Sequence, residues 1–191
     1  TVVTCNAAIS ACEAGVQWQL ALAILASMPK LHILPNVISC SSAISACEKA
    51  AQWQATLAIL ESMPGQRVAP NAFSCSSAIS ACEAGAQWQS ALALFASMSV
   101  LRVSPNVISC SAVVSACERG SQWQVALALF TCMPRLRVAT NAVTCSSALE
   151  ACEKGAQHPG AASVCSKLHA VGMLPLSALS VRAQCSAGVE K

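Results

Sequence analysis

Apolar residues come in short bursts at helical spacing, and the bursts themselves recur. Between Val37 and Ala50 the residues Cys40, Ile44 and Cys47 stand at i, i+4 and i+7, the stripe of an amphipathic helix, and Asn36 is placed to cap its start. Ala51 and Gln52 supply a turn. A second stripe, Leu57, Leu60 and Met63, follows Trp53 and predicts a second helix. Pro64 is expected to end it at Met63, because proline has no amide proton and disfavours helical geometry in the residue before it.

The pair of helices repeats with a period of 35 residues: Trp18, Trp53, Trp88 and Trp123 keep that interval, and His158 takes the next place. Glu13, Glu48, Glu83, Glu118 and Glu153 keep it, as do Met28, Met63, Met98 and Met133. Pro35, Pro70 and Pro105 precede Asn36, Asn71 and Asn106, while later junctions read Thr140-Asn141 and Pro175-Leu176. The units therefore run 2–36, 37–71, 72–106, 107–141 and 142–176, with 177–191 a tail or a partial sixth unit. A single helical hairpin cannot bury its apolar face, so neighbours must stack. The expected fold is all-α, a right-handed α-solenoid (superhelix) of stacked helix-turn-helix repeats. In the degenerate fifth unit, His158-Pro159-Gly160 replaces the Trp-Gln run and is expected to shorten or delay the second helix.

Composition narrows the picture. Hydrophobic residues make up 55% and charged residues 10%, yet apolar runs such as Val125 to Phe130 fall far short of a membrane span. The net charge of +3 is modest for a nucleic-acid binder and would not by itself suggest one. Ten of the thirteen cysteines recur with the repeat. Each pair, such as Cys5 and Cys12, sits two turns apart, ~10 Å along a helix, too far for a disulfide. No Cys-x-x-Cys occurs, so reduced cysteines acting as small core residues are expected, with no metal and no cofactor. The chain opens at Thr1 and not at Met, so it is expected to be a fragment with any targeting peptide outside it.

The segments Val-Val-Thr-Cys-Asn-Ala-Ala-Ile-Ser-Ala-Cys (2–12) and Val-Ile-Ser-Cys-Ser-Ser-Ala-Ile-Ser-Ala-Cys (37–47) resemble the opening of a pentatricopeptide repeat. Ala-Leu-Ala-Leu-Phe-Ala-Ser-Met (91–98), followed by Val103, Pro105 and Asn106, is similar to that family's second helix and closing turn. The resemblance covers residues 2–176, in the plain 35-residue subclass, and the recurring Ala-Cys-Glu and Gln-Trp-Gln wording is similar to the expanded sets of dinoflagellate algae. The family's aromatic at the fourth position is here Cys5, Cys40, Cys75, Cys110 and Cys145, which reduces the apolar area buried per unit.

The resemblance implies single-stranded RNA as partner, one nucleotide per repeat, each read by two side chains. The reading positions are Asn6 with Asn36, Ser41 with Asn71, Ser76 with Asn106, Ser111 with Asn141, and Ser146 with Leu176. In the family, Ser with Asn resembles the adenine pair and Asn with Asn a pyrimidine pair, while Ser146 with Leu176 matches none, giving 5′-(C/U)AAAN-3′. Base clamps fall to Val3, Ile38, Phe73, Ile108 and Val143, and phosphate contacts to Lys49, Arg119 and Lys154, with Ala14 and Ala84 at the equivalent places. Three such contacts would give a salt slope of about −2, from ~0.7 per phosphate. The resemblance further implies organellar RNA processing, stabilisation or editing in a chloroplast or mitochondrion, beside other RNA-processing proteins, with no membrane and no small-molecule substrate.

Plainer readings stand beside these. Ser and Asn at a helix start are ordinary capping residues, a role compatible with base reading. The tryptophans open second helices on the leucine face, which points to inter-helix packing rather than base stacking. His32, Arg67, Arg102 and Arg137 share one position in the loop after the second helix and read as a solvated edge. No nucleophile with a base, paired carboxylates or phosphate loop is visible, so an enzyme is not expected. The alternative function is a helical-repeat scaffold for protein–protein interaction.

Overall fold

The structure, a computed structural model, describes residues 1–155. The second helix of the fifth unit, the His158-Pro159-Gly160 break, the tail 177–191 and the reading position Leu176 lie outside the described residues. First helices are α1 (Val2–Ala14), α3 (Val37–Lys49), α5 (Ala72–Ala84), α7 (Val107–Arg119) and α9 (Ala142–Gly155). Second helices are α2 (Trp18–Ser27), α4 (Trp53–Gly65), α6 (Trp88–Val100) and α8 (Trp123–Cys132), and a 3₁₀ turn, Pro29–Leu31, follows α2. The fold is an all-α solenoid.

Local chemistry sets where each helix begins. Asn36, Asn71 and Asn106 adopt extended backbone, and each accepts a hydrogen bond from the amide three residues on, while Ser39, Ser74 and Ser109 bond back to the Asn amide. Two orphan amides are satisfied per capping box, worth about 1 kcal/mol over an uncapped start. Second helices start after Gln17, Gln52, Gln87 and Gln122 with no side-chain cap bond. They rely on tertiary packing.

Each first helix stacks on the next, and each second helix packs on its own first helix and the following one. Small side chains permit this: Ala43, Ala46, Ala78, Ala81 and Ala116, with Cys40, Cys47 and Cys82, are completely buried between neighbouring units. The stack is tighter on the first-helix side, so that side is concave. The outer helices are held by Met28, Met63, Met98 and Met133, all buried, and by the tryptophans. Trp18, Trp53 and Trp88 are partly buried against the core, as expected for packing residues. Trp53 lies so close to Gly85 that a Cβ there would stand 2.3 Å from its ring, and Trp88 does the same at Gly120. Each glycine thus admits the indole of the preceding unit.

The second-helix ends depart from expectation in one unit. Helix α4 was expected to stop at Met63 but continues through Pro64 to Gly65. Proline in the last turn forfeits a single intrahelical bond, and the chain beyond it is closed by Val68 N–H donating to the Met63 carbonyl at 2.9 Å. In α2 and α8, by contrast, the helix ends before the equivalent Pro29 and Pro134.

Candidate nucleic-acid interface

The concave face is a ladder of first-helix starts, and the five clamp positions form its most exposed apolar row. Val3, Ile38, Phe73, Ile108 and Val143 are 72%, 55%, 53%, 55% and 58% exposed, although each is one residue into a helix and the remainder of α3, α5 and α7 is largely buried. Leaving five large apolar side chains in water at a constant register forgoes burial that ~25 cal/mol per Å² would otherwise reward.

Beside this row lie the polar positions. Asn6 Nδ2 donates to Asn36 Oδ1 at 3.3 Å, and Ser76 Oγ lies 3.1 Å from Asn106 Oδ1 and 2.6 Å from the Ala72 carbonyl, so two of the expected pairs meet between the first helix of a unit and the residue that caps the next first helix. Ser39 Oγ also donates to Asn6 Oδ1 at 2.7 Å. Ser111 Oγ turns to its own helix, donating to the Val107 carbonyl at 2.6 Å. Ser41 Oγ is the one buried side-chain polar atom without a partner among the described residues. Asn141 caps α9, accepting from Thr144 N–H at 2.8 Å and from the Thr144 hydroxyl.

The caps orient the amides. Ser39, Ser74, Ser109 and Thr144 amides bind the Asn side-chain oxygen, at 3.0, 2.8, 2.8 and 2.8 Å. Each Nδ2 is thereby left as the group to offer a ligand, a donor held in fixed geometry by the cap itself.

The expected phosphate contacts are placed differently from what sequence alone conveyed. Lys49 pairs with Glu13 at 3.0 Å, Arg119 with Glu83 at 3.3 Å and Lys154 with Glu118 at 2.5 Å, each bridging a unit to the preceding one. Ser45 Oγ adds a bond to Glu13 at 2.9 Å. Ala84 leaves Glu48 without an ion pair; burial pushes its carboxyl above the ordinary range, against the lowering effect of the Ser77 hydroxyl and Lys49. Glu83 is raised for the same first reason, opposed by Arg119. This acidic ladder of recurring glutamates thus offsets basic neighbours, and the signal for the pairing is a glutamate 36 residues before each cation. Between units four and five, Val143, Ser146 and Arg119 share a cleft with Glu83, Glu118 and Glu150.

Cys12, Cys40, Cys47, Cys75, Cys82, Cys110 and Cys117 are buried core residues, whereas Cys5 and Cys145 are half-buried and Cys132 is exposed. Burial pushes the Cys47, Cys82 and Cys117 thiols to about 11, leaving them protonated and weak as nucleophiles at neutral pH. Among the described residues no group of His, Cys, Asp or Glu gathers as a metal site would require, and no helix is long and apolar enough to cross a membrane.

Hairpins stacked in register, with an exposed apolar row flanked by capping amides, define a helical-repeat solenoid. A pentatricopeptide repeat domain profile matches residues 1–50, and the matched unit recurs in register through the described chain. Residues 1–50 thus match the pentatricopeptide repeat domain, and the described fold is similar to that of pentatricopeptide repeat proteins. The structure is similar to the pentatricopeptide domain of Arabidopsis thaliana protein-only RNase P 1, solved in complex with tRNA: TM-score 0.75 at 12% identity, covering 92% of this chain and 93% of that one. It is also similar to the pentatricopeptide repeat protein PPR10 from maize, with a TM-score of 0.63 at 26% identity over 78% of this chain. Against PPR10 in complex with an 18-nt psaJ RNA element the TM-score is 0.69 at 20% identity, over 82% of this chain. The chain spans only 21% and 23% of those two PPR10 chains. No curated protein matches it in sequence.

Proposed function

We propose that the concave row binds single-stranded RNA, one nucleotide per repeat, and does so without catalysis by residues of this chain. The observation that carries the reading is the in-register exposure of Val3, Ile38, Phe73, Ile108 and Val143 directly beside the Ser and Asn pairs. Stacked bases would cover those side chains, at up to ~1–3 kcal/mol per base on an aromatic platform and less on aliphatic ones. The RNA bound in the similar structures supports the same reading.

The base preference has a physical form. A capped Asn offers Nδ2 to a base acceptor, and the neighbouring hydroxyl both donates and accepts, a set compatible with the adenine edge. The buried Ser41 hydroxyl is unpartnered and so has a hydrogen bond to give. The sequence proposed is 5′-(C/U)AAAN-3′, read by Asn6, Asn36, Ser41, Asn71, Ser76, Asn106, Ser111, Asn141 and Ser146. Five nucleotides are too few to define a transcript. The proposed setting, processing, stabilisation or editing of chloroplast or mitochondrial RNA, follows from the family.

Fluorescence anisotropy with labelled CAAAN, CGGGN and scrambled RNA cores tests this. Preference for the A-core is expected. Exchange of Ser41, Ser76 and Ser111 for Thr, with Asn71, Asn106 and Asn141 for Asp, should move it toward G, because Asp keeps the cap oxygen but replaces the donor with an acceptor. Equal or absent binding to all three cores would sink the code and leave a protein-binding scaffold as the better reading.

A further inference from the structure

The groove's own charges do not account for attraction of a polyanion. Its three cations are already paired, and Glu48 adds an acidic group with no ion pair. The unpaired cations stand elsewhere, in the turn that closes each second helix. There the backbone forms the same cap four times. Ile33, Val68, Val103 and Val138 amides donate to the Met28, Met63, Met98 and Met133 carbonyls at 2.9, 2.9, 2.9 and 3.0 Å. The residue before each donor takes left-handed geometry: His32 at φ 57°, Arg67 at 60°, Arg102 at 57° and Arg137 at 58°.

Such a cap ordinarily carries glycine or asparagine, because a Cβ in left-handed backbone costs roughly 1–2 kcal/mol. Here it carries an imidazole or guanidinium every time. Neither packing nor pairing explains that choice: all four side chains are exposed, and none makes an ion pair or a side-chain hydrogen bond among the described residues. The other turn of each hairpin is a control. Val16, Ala51, Ala86 and Ser121 adopt left-handed geometry there too, at φ 54–57°, and share no chemistry. The backbone makes the same demand at both turns, yet only one row is uniformly basic.

We infer that the ridge of His32, Arg67, Arg102 and Arg137 is a second RNA contact, a sequence-independent seat for phosphates of nucleotides outside the base-reading row. It runs along the edge of the solenoid four residues upstream of the reading asparagines, so an RNA that extends past the groove and folds along this edge meets one cation per repeat. Arginine suits phosphate because its planar donors bind two oxygens and its charge is permanent. This inference rests on the RNA-binding reading.

The test uses Arg67→Gly/Arg102→Gly/Arg137→Gly in the full chain. Glycine relieves the strained geometry, so thermal stability should be kept or raised, and any binding defect is then not unfolding. Two RNAs are compared by anisotropy between 50 and 200 mM salt: the five-nucleotide core, and the same core with a 15-nucleotide uridine extension. For the extended RNA the variant should lose about 2 from the salt slope, from ~0.7 per phosphate contact, and so bind on the order of tenfold more weakly at the lower salt. The short core should bind as before. An unchanged slope and affinity for the extended RNA would overturn the ridge. Wild-type binding of the extended RNA that depends on the three arginines, with no binding of the short core, would uphold the ridge while the groove reading failed. Ridge-dependent binding to vesicles of 30% phosphatidylserine, with RNA binding unaffected, would assign the ridge to a lipid surface and overturn the inference.

Discussion

First and second helices of one unit have similar length but are held in different ways. The first helices α3, α5 and α7 start at a capping box and press on one another through a wall of Ala, Cys and Ser. The second helices start uncapped, lie chiefly against first helices among the described residues, and are anchored by one buried Met and one Trp per unit. The inner row is therefore positioned twice over, by its caps and by close stacking of small side chains, which fixes the spacing of the groups it displays. The outer row supplies cohesion.

The contrast is broken most severely from outside. Met63→Ala removes a completely buried side chain that joins α4 to its neighbours, and should cost ~2–5 kcal/mol in urea unfolding. Because a solenoid shares its stability through neighbour interfaces, the loss should appear as a less cooperative transition as well as a lower midpoint. A fully cooperative transition would show that the units do not depend on their interfaces in this way.

A smaller effect separates the two roles of the inner asparagines. Asn71→Ala removes the α5 cap and should cost about 1 kcal/mol, whereas Asn71→Asp keeps the accepting oxygen and should leave the unfolding midpoint nearly unchanged. Only a binding assay should then distinguish Asp from Asn. Equal destabilisation by both would mean that the amide nitrogen matters to the fold.

The smallest effect concerns Glu48, the ladder member without a cation. Its folded-state carboxyl is raised by burial, so its contribution to stability is present below the unfolded-state value and is lost as pH rises through the folded-state value. Thermal unfolding of Glu48→Gln should show higher stability than the parent at neutral pH and a shallower gain on acidification from pH 7 toward 4. A parallel pH profile in the two proteins would contradict this.

The architecture was legible because its determinants are local and repeated: Trp and Met at a constant interval, Asn before each first helix, and apolar residues at helical spacing. The exposed row at Val3 and its equivalents was legible only through the family resemblance, since an apolar residue one position into a helix reads equally well as core. Three features were not legible. Passage of α4 through Pro64 depends on how the chain beyond it closes. The pairing of Lys49, Arg119 and Lys154 with glutamates depends on the offset between stacked units, which places residues 36 apart side by side. Left-handed backbone at Arg67 and its equivalents is invisible in a sequence that places no glycine there, which is why the ridge read as a merely solvated edge.

The most direct test of the modular row is the single substitution Asn106→Asp, read against a panel of RNAs varied one nucleotide at a time. Ser76 and Asn106 are the reading pair of unit three and meet at 3.1 Å, so the account predicts an altered preference at the third nucleotide alone, with affinity elsewhere and thermal stability unchanged. A uniform change across all five positions, or none at any, would contradict one-nucleotide-per-repeat reading.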